Sequence, residues 1–382
     1  MNIIWIYNRP LTPVAGGTER ITSLVAKGFS EKGHKCFGML VFDEYSDKIT
    51  YNNLEVNNLY SFLKEKSIDV IINQIAYSKW LLQSFLNHGG DKWHSDGGRI
   101  ISCLHFDPKN PSPLYFYRSI QDKKPKDWIN ITKSIVLYGY YKKKQERTEG
   151  FIYNYVYDNS DWFVALSKTH FPYLHKVMKR DKYDRLVAIN NPLTFDDISD
   201  VDSLHEKQKV VLVCARMSEY HKRISLILKA WKLIQKDNKF QDWSLILLGE
   251  GPDLQMYKEY AIKNGLKNVI FKGLQSPEPY YQEASILLLT SSAEGWGLTI
   301  TEGLQRGVVP VVMDSCPVFS EIISSGYNGF LTPNGNVRKF AEKVGQLMRA
   351  PQLLRQMQEN ALKSAEKFNI ASTMKKWEKI IQ

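Results

Sequence analysis

The sequence predicts an α/β protein made of two doubly wound parallel-sheet domains. Three observations carry that prediction. Apolar runs of strand length alternate with segments of helical spacing, and they do so in two separate series. A polar stretch, "TFDDISDVDSLHEKQK", residues 194–209, parts the two series. The length of 382 residues suits two domains of ordinary size.

The first series opens with "NIIWIY", a buried strand, followed by a glycine-ended loop. A helix follows over "TERITSLVAKGFSEKG", with Ile21, Leu24, Val25 and Phe29 on one face and Gly33 as its stop. "HKCFGMLVF" is a second strand, "LYSFLKEKSI" a helix, and "DVIINQ" and "RIISCLHF" are further strands. "DWFVALS" and "RLVAINNPL" flank a helical "KTHFPYLHKVMKR". The second series runs "VVLVCAR", helix 223–236, "WSLILLGEGP", helix 254–264, "NVIFKG", helix 277–284 and "SILLLTSS". It continues with helix 298–306, "VVPVV", a short helix near 319–325, "GFLT" and helix 337–348. The domains are expected at 1–192 and 193–367, with an amphipathic helix in 368–382.

Composition narrows the class. A hydrophobic fraction of 43% and a charged fraction of 24% belong to an ordinary globular chain. Cys36, Cys103, Cys214 and Cys316 show no paired spacing for zinc or redox work, so reduced thiols in a cytosolic setting are expected. The start, interrupted by Asn8 and Arg9, does not read as a signal peptide, and no apolar run reaches the roughly 18–20 residues of a membrane span. The net charge of +11 points to anionic company and is spread over both halves. No nucleic-acid motif accompanies it, so a nucleic-acid partner is not expected.

In open α/β sheets, ligands bind beyond the carboxyl ends of the strands. The informative residues therefore lie at strand exits. After the first strand, Gly16 and Gly17 in "GGTER" precede a helix whose N–H groups and dipole suit a phosphate, although a plain turn would use the same glycines. After "VVLVC" come Arg216 and Lys222, a bidentate donor and a point charge able to clamp a diphosphate, or two cations of a solvated loop. Gly249 and Gly251 suggest tight turns in "GEGP", and main-chain groups at Gly273, Leu274 and Gln275 can read a base edge. His105, in "CLHFDP", follows a strand, where a lone histidine can equally be structural.

"AEGWGLTITEGLQRG", residues 293–307, places Glu294 in a loop and Glu302 in the helix behind it. Gly295 and Gly297 let the loop fold tightly and expose backbone donors at the helix start, at Leu298. One carboxylate can accept two hydroxyls of a diol, and the second can reach another diol along the same wall. The alternative assigns Glu294 to the helix dipole and Glu302 to the surface.

This ordered series resembles the family-4 retaining glycosyltransferases of GT-B fold. Glu294 and Glu302 match their E-x7-E signature, and "GGTER", "HF", "INNPL", Arg216 with Lys222, "GEGP", "NVIFKG", "VVPVV" and "NGFL" follow in family order over nearly the whole chain. The resemblance implies two Rossmann-like domains facing across a cleft, with the acceptor on the first and the nucleotide sugar on the second. It implies that Glu294 holds hydroxyls of the transferred sugar and that Glu302 grips the nucleotide ribose. It gives the diphosphate to Arg216, Lys222 and the Gly16–Gly17 loop, and contact with the donor sugar to His105. Ser167 and Asn191 match architectural positions. "MSEYHKR" departs from the family's usual text, a proline or acidic residue and a glycine, and leaves the Arg–Lys pair intact. The C-terminal helix is expected to cross back onto the first domain as a hinge.

The implied reaction transfers a sugar from a nucleoside diphosphate sugar to an acceptor hydroxyl, with retention and with neither metal nor cofactor. The only D-x-D, Asp200–Asp202, lies in the polar stretch before a strand. Uridine is the expected base, as the commoner family choice. Residues 114–147 are rich in aromatic and basic side chains, with nine basic against three acidic residues from Arg118 to Arg147. That mixture suits peripheral docking on an anionic membrane at the inner face, bringing the site to a lipid-linked glycan, or else a solvated helical insertion. Rival readings are a GT-B-fold epimerase or phosphorylase, a nucleic-acid-binding protein and a non-catalytic sensor of sugar nucleotides.

Overall fold

The structure is a computed structural model, and it describes residues 1–10, 16–109, 129, 132–133 and 135–382. The chain divides into two compact units. One comprises Met1–Pro108, Lys142–Thr194 and Phe368–Gln382, and the other comprises Lys109–Tyr141 and Phe195–Lys367.

The first unit is built on eight strands: β1 (Asn2–Tyr7), β2 (Lys35–Phe42), β3 (Ile49–Tyr51), β4 (Leu54–Glu55), β5 (Val70–Asn73), β6 (Arg99–Leu104), β7 (Trp162–Ala165) and β8 (Leu186–Ala188). Their order in the sheet is β4-β3-β2-β1-β5-β6-β7-β8. The chain steps outward from β1 to β2 and later returns to β5 on the other side, so the order reverses between β1 and β5. From β2 to β8 the pairs are parallel, as with Ile3 opposite Val70 and Ile101 opposite Trp162. The sheet is not wholly parallel, however. β3 pairs with β2 and β4 with β3 in antiparallel fashion, with Leu40 opposite Tyr51 and Thr50 opposite Glu55. Asn52 and Asn53 turn this hairpin at φ 50° and 63°, the left-handed pair that a tight two-residue turn demands.

The second unit holds β9 (Val210–Cys214), β10 (Ser244–Leu248), β11 (Val269–Gly273), β12 (Ile286–Leu289), β13 (Val309–Asp314) and β14 (Phe330–Pro333). Their order is β11-β10-β9-β12-β13-β14, all parallel. Helices cover both faces, so Val211, Leu212, Leu245, Leu247, Ile286 and Val311 are wholly buried. Each such side chain stabilises the fold by roughly 1.5–3 kcal/mol. The reversal here falls between β9 and β12. It sets the exits of those two strands side by side.

Two seams complete the units. The polar stretch after Pro192 is fastened to the second unit. Gln305 Nε2 donates to the Phe195 and Asp197 carbonyls at 2.7 Å each, and buried Arg306 pairs with Asp197 at 2.9 Å and Glu278 at 2.5 Å. The helix Ile370–Ile381 packs on the helix Gly17–Glu31 of the first unit. Trp377 meets Phe29 edge-on at 5.9 Å, Lys32 pairs with Glu378 at 2.7 Å, and Met374 lies against Gly28.

Candidate active site

The candidate residues Arg216, Lys222, Glu294 and Glu302 follow the two strand exits at the reversal of the second sheet. Cys214 ends β9, and the chain then runs through Arg216 into a one-turn helix, Glu219–Lys222. Leu289 ends β12, and the loop through Glu294 leads into the helix Leu298–Gln305. Lys222 and Glu294 meet in a short ion pair, with their side chains 24% and 15% exposed. His221 lies in the same field. Burial first, then Lys222 and Arg216, hold its pKa below the ordinary histidine range, while Glu294 acts the other way. The structure thus brings Lys222 and Glu294 together, with Arg216 on the loop that leads from β9 to Lys222.

Glu302 sits one helix turn and more beyond the loop and is 1% exposed, so its assignment to the surface is overturned. Gly297, at φ 98°, caps the helix in the left-handed region, and its carbonyl accepts from Ile300 N at 2.9 Å. The amide of Leu298 opens that helix, and Gly295 is buried in the loop before it. A helix start of this kind favours negative charge.

The loop after β9 owes its form to a buried carboxylate that sequence reasoning did not single out. Glu219 accepts from Ser225 N at 3.2 Å, Ser225 Oγ at 2.6 Å and Tyr257 Oη at 3.0 Å. It thereby caps the helix Ile224–Ile234 from outside. Glu219 N in turn donates to Asp253 Oδ2 at 2.8 Å. The "GEGP" glycines serve close approach as much as turning. A Cβ on Gly249 would lie 2.0 Å from the Ala215 carbonyl oxygen, and one on Gly251 2.5 Å from that of Met217. Only glycine lets the exits of β9 and β10 lie in contact there. Gly273, Leu274 and Gln275 lie farther out, at the exit of edge strand β11. Leu274 is 72% exposed, and Gln275 lines an open pocket with Lys272, Pro279 and Tyr280. β10 and β9 stand between β11 and β12, the strand that leads to Glu294.

In the first unit, Gly16 precedes and Gly17 begins the helix Gly17–Glu31. The first turn of that helix already holds a carboxylate. Glu19 is 1% exposed and pairs with Arg9 at 2.6 Å, and Arg9 also donates to Tyr7 Oη at 3.1 Å. Part of the positive potential at this helix start is therefore met from within the chain. His105 follows β6, and its Nε2 donates to Gln74 Oε1 at 2.5 Å. Burial pushes its pKa down to about 4, so the imidazole is neutral at pH 7 and offers Nδ1 as an acceptor. Gln74, His105, Asn190 and Asn191 line a small cavity with Trp5 and Trp377, at the exits beside the reversal of this sheet. Ser167 caps the short turn Lys168–His170 by accepting from Thr169 N at 2.9 Å. Asp200 and Asp202 flank Val201 at the start of a 3-10 turn, and no group of three or more metal-binding side chains gathers among the described residues.

Residues 195–364 match the family model described as Glycosyl transferases group 1. An uncharacterized glycosyltransferase of Methanocaldococcus jannaschii is 22% identical over 348 residues, 90% of this chain and 87% of that protein. The GalNAc-alpha-(1->4)-GalNAc-alpha-(1->3)-diNAcBac-PP-undecaprenol alpha-1,4-N-acetyl-D-galactosaminyltransferase of Campylobacter jejuni is 24% identical over 226 residues, 59% of this chain and 61% of that protein. An uncharacterized glycosyltransferase of Haemophilus influenzae is 24% identical over 202 residues, 52% of this chain, and the chain spans 56% of its length. Among solved structures, Anabaena HepE in complex with UDP-glucose superimposes with a TM-score of 0.70 at 16% identity, covering 99% of this chain and 98% of that one. That likeness shows the fold: two parallel-sheet α/β domains of the GT-B kind.

Proposed function

We propose that the protein is a retaining, metal-independent glycosyltransferase. It takes a nucleoside diphosphate sugar, with uridine as the base, and moves the sugar to a glycan hydroxyl in polysaccharide or glycoconjugate assembly. The observation that carries this reading is the meeting of Lys222 with Glu294 at the β9–β12 reversal, with Arg216 on the same β9 exit loop. Support for a UDP-sugar comes from HepE, whose structure holds UDP-glucose.

In the proposed reaction the bond from the anomeric carbon to the diphosphate oxygen breaks, and a bond to the acceptor oxygen forms on the same face. The acceptor proton passes to the leaving phosphate. As the bond breaks, negative charge grows on the diphosphate, and Arg216, Lys222 and the amide at Leu298 stabilise that charge most where it is greatest. Glu294 accepts hydroxyls of the transferred sugar, and Glu302 those of the ribose. His105, neutral near pH 7, can hydrogen-bond the sugar without adding charge. The Gly16–Gly17 loop, with Gly249, Gly273, Leu274, Gln275, Gly295 and Gly297, supplies backbone approach to the rest of the nucleotide.

The test is nucleotide release from a panel of UDP- and GDP-sugars by wild type and Glu294→Gln. A loss of kcat/KM of about 100-fold or more in the folded variant is expected for a polar contact made at the reacting sugar. Undiminished turnover by the variant overturns the assignment of Glu294. Binding without turnover by wild type would identify a sensor, and interconversion of free sugar nucleotides an epimerase.

The acceptor is proposed to be lipid-linked, a reading supported by the undecaprenol in the name of the Campylobacter relative. The site is then brought to the inner face of an anionic membrane. Of residues 114–147, positions 114–128, 130, 131 and 134 lie outside the described residues. Among the remainder, Ile135, Val136, Leu137, Tyr140 and Tyr141 are exposed, and Lys142, Lys143 and Lys144 follow them, also exposed. No helix among the described residues is long and apolar enough to cross a membrane.

A further inference from the structure

Arg223 stands out at the donor end of the second sheet. It ends the one-turn helix Glu219–Lys222 in the left-handed region, at φ 51° and ψ 42°, a conformation glycine adopts freely and an arginine does not. It is also 4% exposed. A buried, always-charged guanidinium on a strained backbone needs compensation. It finds this on the neighbouring exit: Nε donates to the Thr290 carbonyl at 2.5 Å and Nη2 to the Ser291 carbonyl at 2.6 Å.

The link runs in both directions. Thr290 Oγ1 lies 2.8 Å from the Lys222 carbonyl oxygen and 3.1 Å from that of Arg223. Ser292 N donates to the His221 carbonyl at 2.7 Å, and Ser292 Oγ to that of Tyr220 at 2.8 Å. Residues 220–223 and 290–292 are therefore laced side by side, with Lys222 in one row and Glu294 two residues past the other. β9 and β12 themselves share only a short register, Val211 with Ile286 and Leu212 with Leu287. Beyond it, these bonds set the spacing.

We propose that Arg223 is a positioning residue for the donor: its planar fork locks the β9 exit against the β12 exit, so that Lys222 and Glu294 hold one geometry toward the diphosphate and the sugar. The inference rests on the function proposed above. A lysine cannot copy it, because two carbonyls in fixed directions call for a rigid fork. A displacement of about 1 Å at a reacting centre is enough to cost on the order of 100-fold in rate.

The experiment compares Arg223→Gly, which keeps the left-handed backbone and removes the fork, with Arg223→Lys and Thr290→Val. Each is assayed for kcat, donor KM, UDP affinity by titration and melting temperature. Arg223→Gly is expected to lose at least tenfold in kcat with a smaller change in UDP affinity. Guanidinium ion at sub-denaturing concentration should restore part of that loss, and should do nothing for Glu294→Gln. Arg223→Lys should not rescue, and combining Arg223→Gly with Thr290→Val should cost less than the two single losses together. Wild-type kcat in Arg223→Gly overturns the proposal. So does a loss that merely follows the unfolded fraction and is blind to guanidinium. Wild type that binds UDP but turns over no donor leaves Lys222 and Glu294 no reacting sugar to face, and overturns the parent function and this proposal together. Wild type that neither turns over nor binds any panel member sinks the parent function, and the proposal with it.

Discussion

His105 and His170 both follow strands of the first sheet, and burial holds both near a pKa of about 4, yet they differ in what they touch. His105 is bonded to Gln74. Neither ring nitrogen of His170, which is 2% exposed, has a hydrogen-bond partner among the described residues. A folded-state pKa below the unfolded value of about 6.5 means that the unfolded chain binds more protons between pH 4 and 6.5. Stability is then fully present above pH 6.5 and drains away as the pH falls toward 4, by up to about 3 kcal/mol for such a histidine. Replacing His170 by Leu removes one proton acceptor and a costly desolvated ring. Thermal melts at pH 7 and pH 4.5 should show the variant losing less of its melting temperature than wild type over that interval. Equal losses would mean that protonation at His170 does not drive acid unfolding.

At the scale of elements, legibility follows from how many signals agree. "VVLVC", "SILLL" and "VVPVV" are apolar on both faces because helices cover both faces, and such runs read as central strands without help. The same alternation placed Glu294 in a loop and Glu302 in the following helix. The hairpin Ile49–Glu55 is short and polar at its edge, and its one signal is the pair Asn52–Asn53, which the helix–strand rhythm masks. The burial of Glu219 and the left-handed backbone of Arg223 leave little mark in local sequence, because Tyr257 and the Thr290 carbonyl that help to hold them lie tens of residues away. The glycines of "GEGP" were legible as turns but not as contact points. Gly249→Ala puts a Cβ 2.0 Å from the Ala215 oxygen at φ 124°, whereas Gly265→Ala, at φ 58° with open space around it, adds backbone strain alone. The first substitution should cost about 3 kcal/mol or more and the second about 1 kcal/mol, read from denaturant midpoints. Equal costs would sink the argument that Gly249 is fixed by close approach.

For the whole molecule, the net charge of +11 is the property left unexplained by a single donor site. Three or four cations suffice for a diphosphate, and the excess is spread over both halves of the chain. A diffuse excess of this kind attracts any anionic surface weakly, and orientation comes only where cations and exposed apolar groups coincide. Lys142, Lys143 and Lys144 coincide with exposed Leu137, Tyr140 and Tyr141. Each lysine near an anionic bilayer is worth about 1 kcal/mol, so reversing three of them should weaken binding by far more than tenfold if this segment leads. The measurement is co-sedimentation with vesicles of phosphatidylcholine containing phosphatidylglycerol, at low and at physiological salt, for wild type and for the Lys142→Glu, Lys143→Glu, Lys144→Glu triple variant. Wild type should sediment with anionic vesicles, less so as salt rises and little with phosphatidylcholine alone, and the variant should stay in the supernatant with its nucleotide release intact. Equal sedimentation of the two proteins would assign the attraction to the diffuse charge, and no sedimentation of either would remove the membrane from the account.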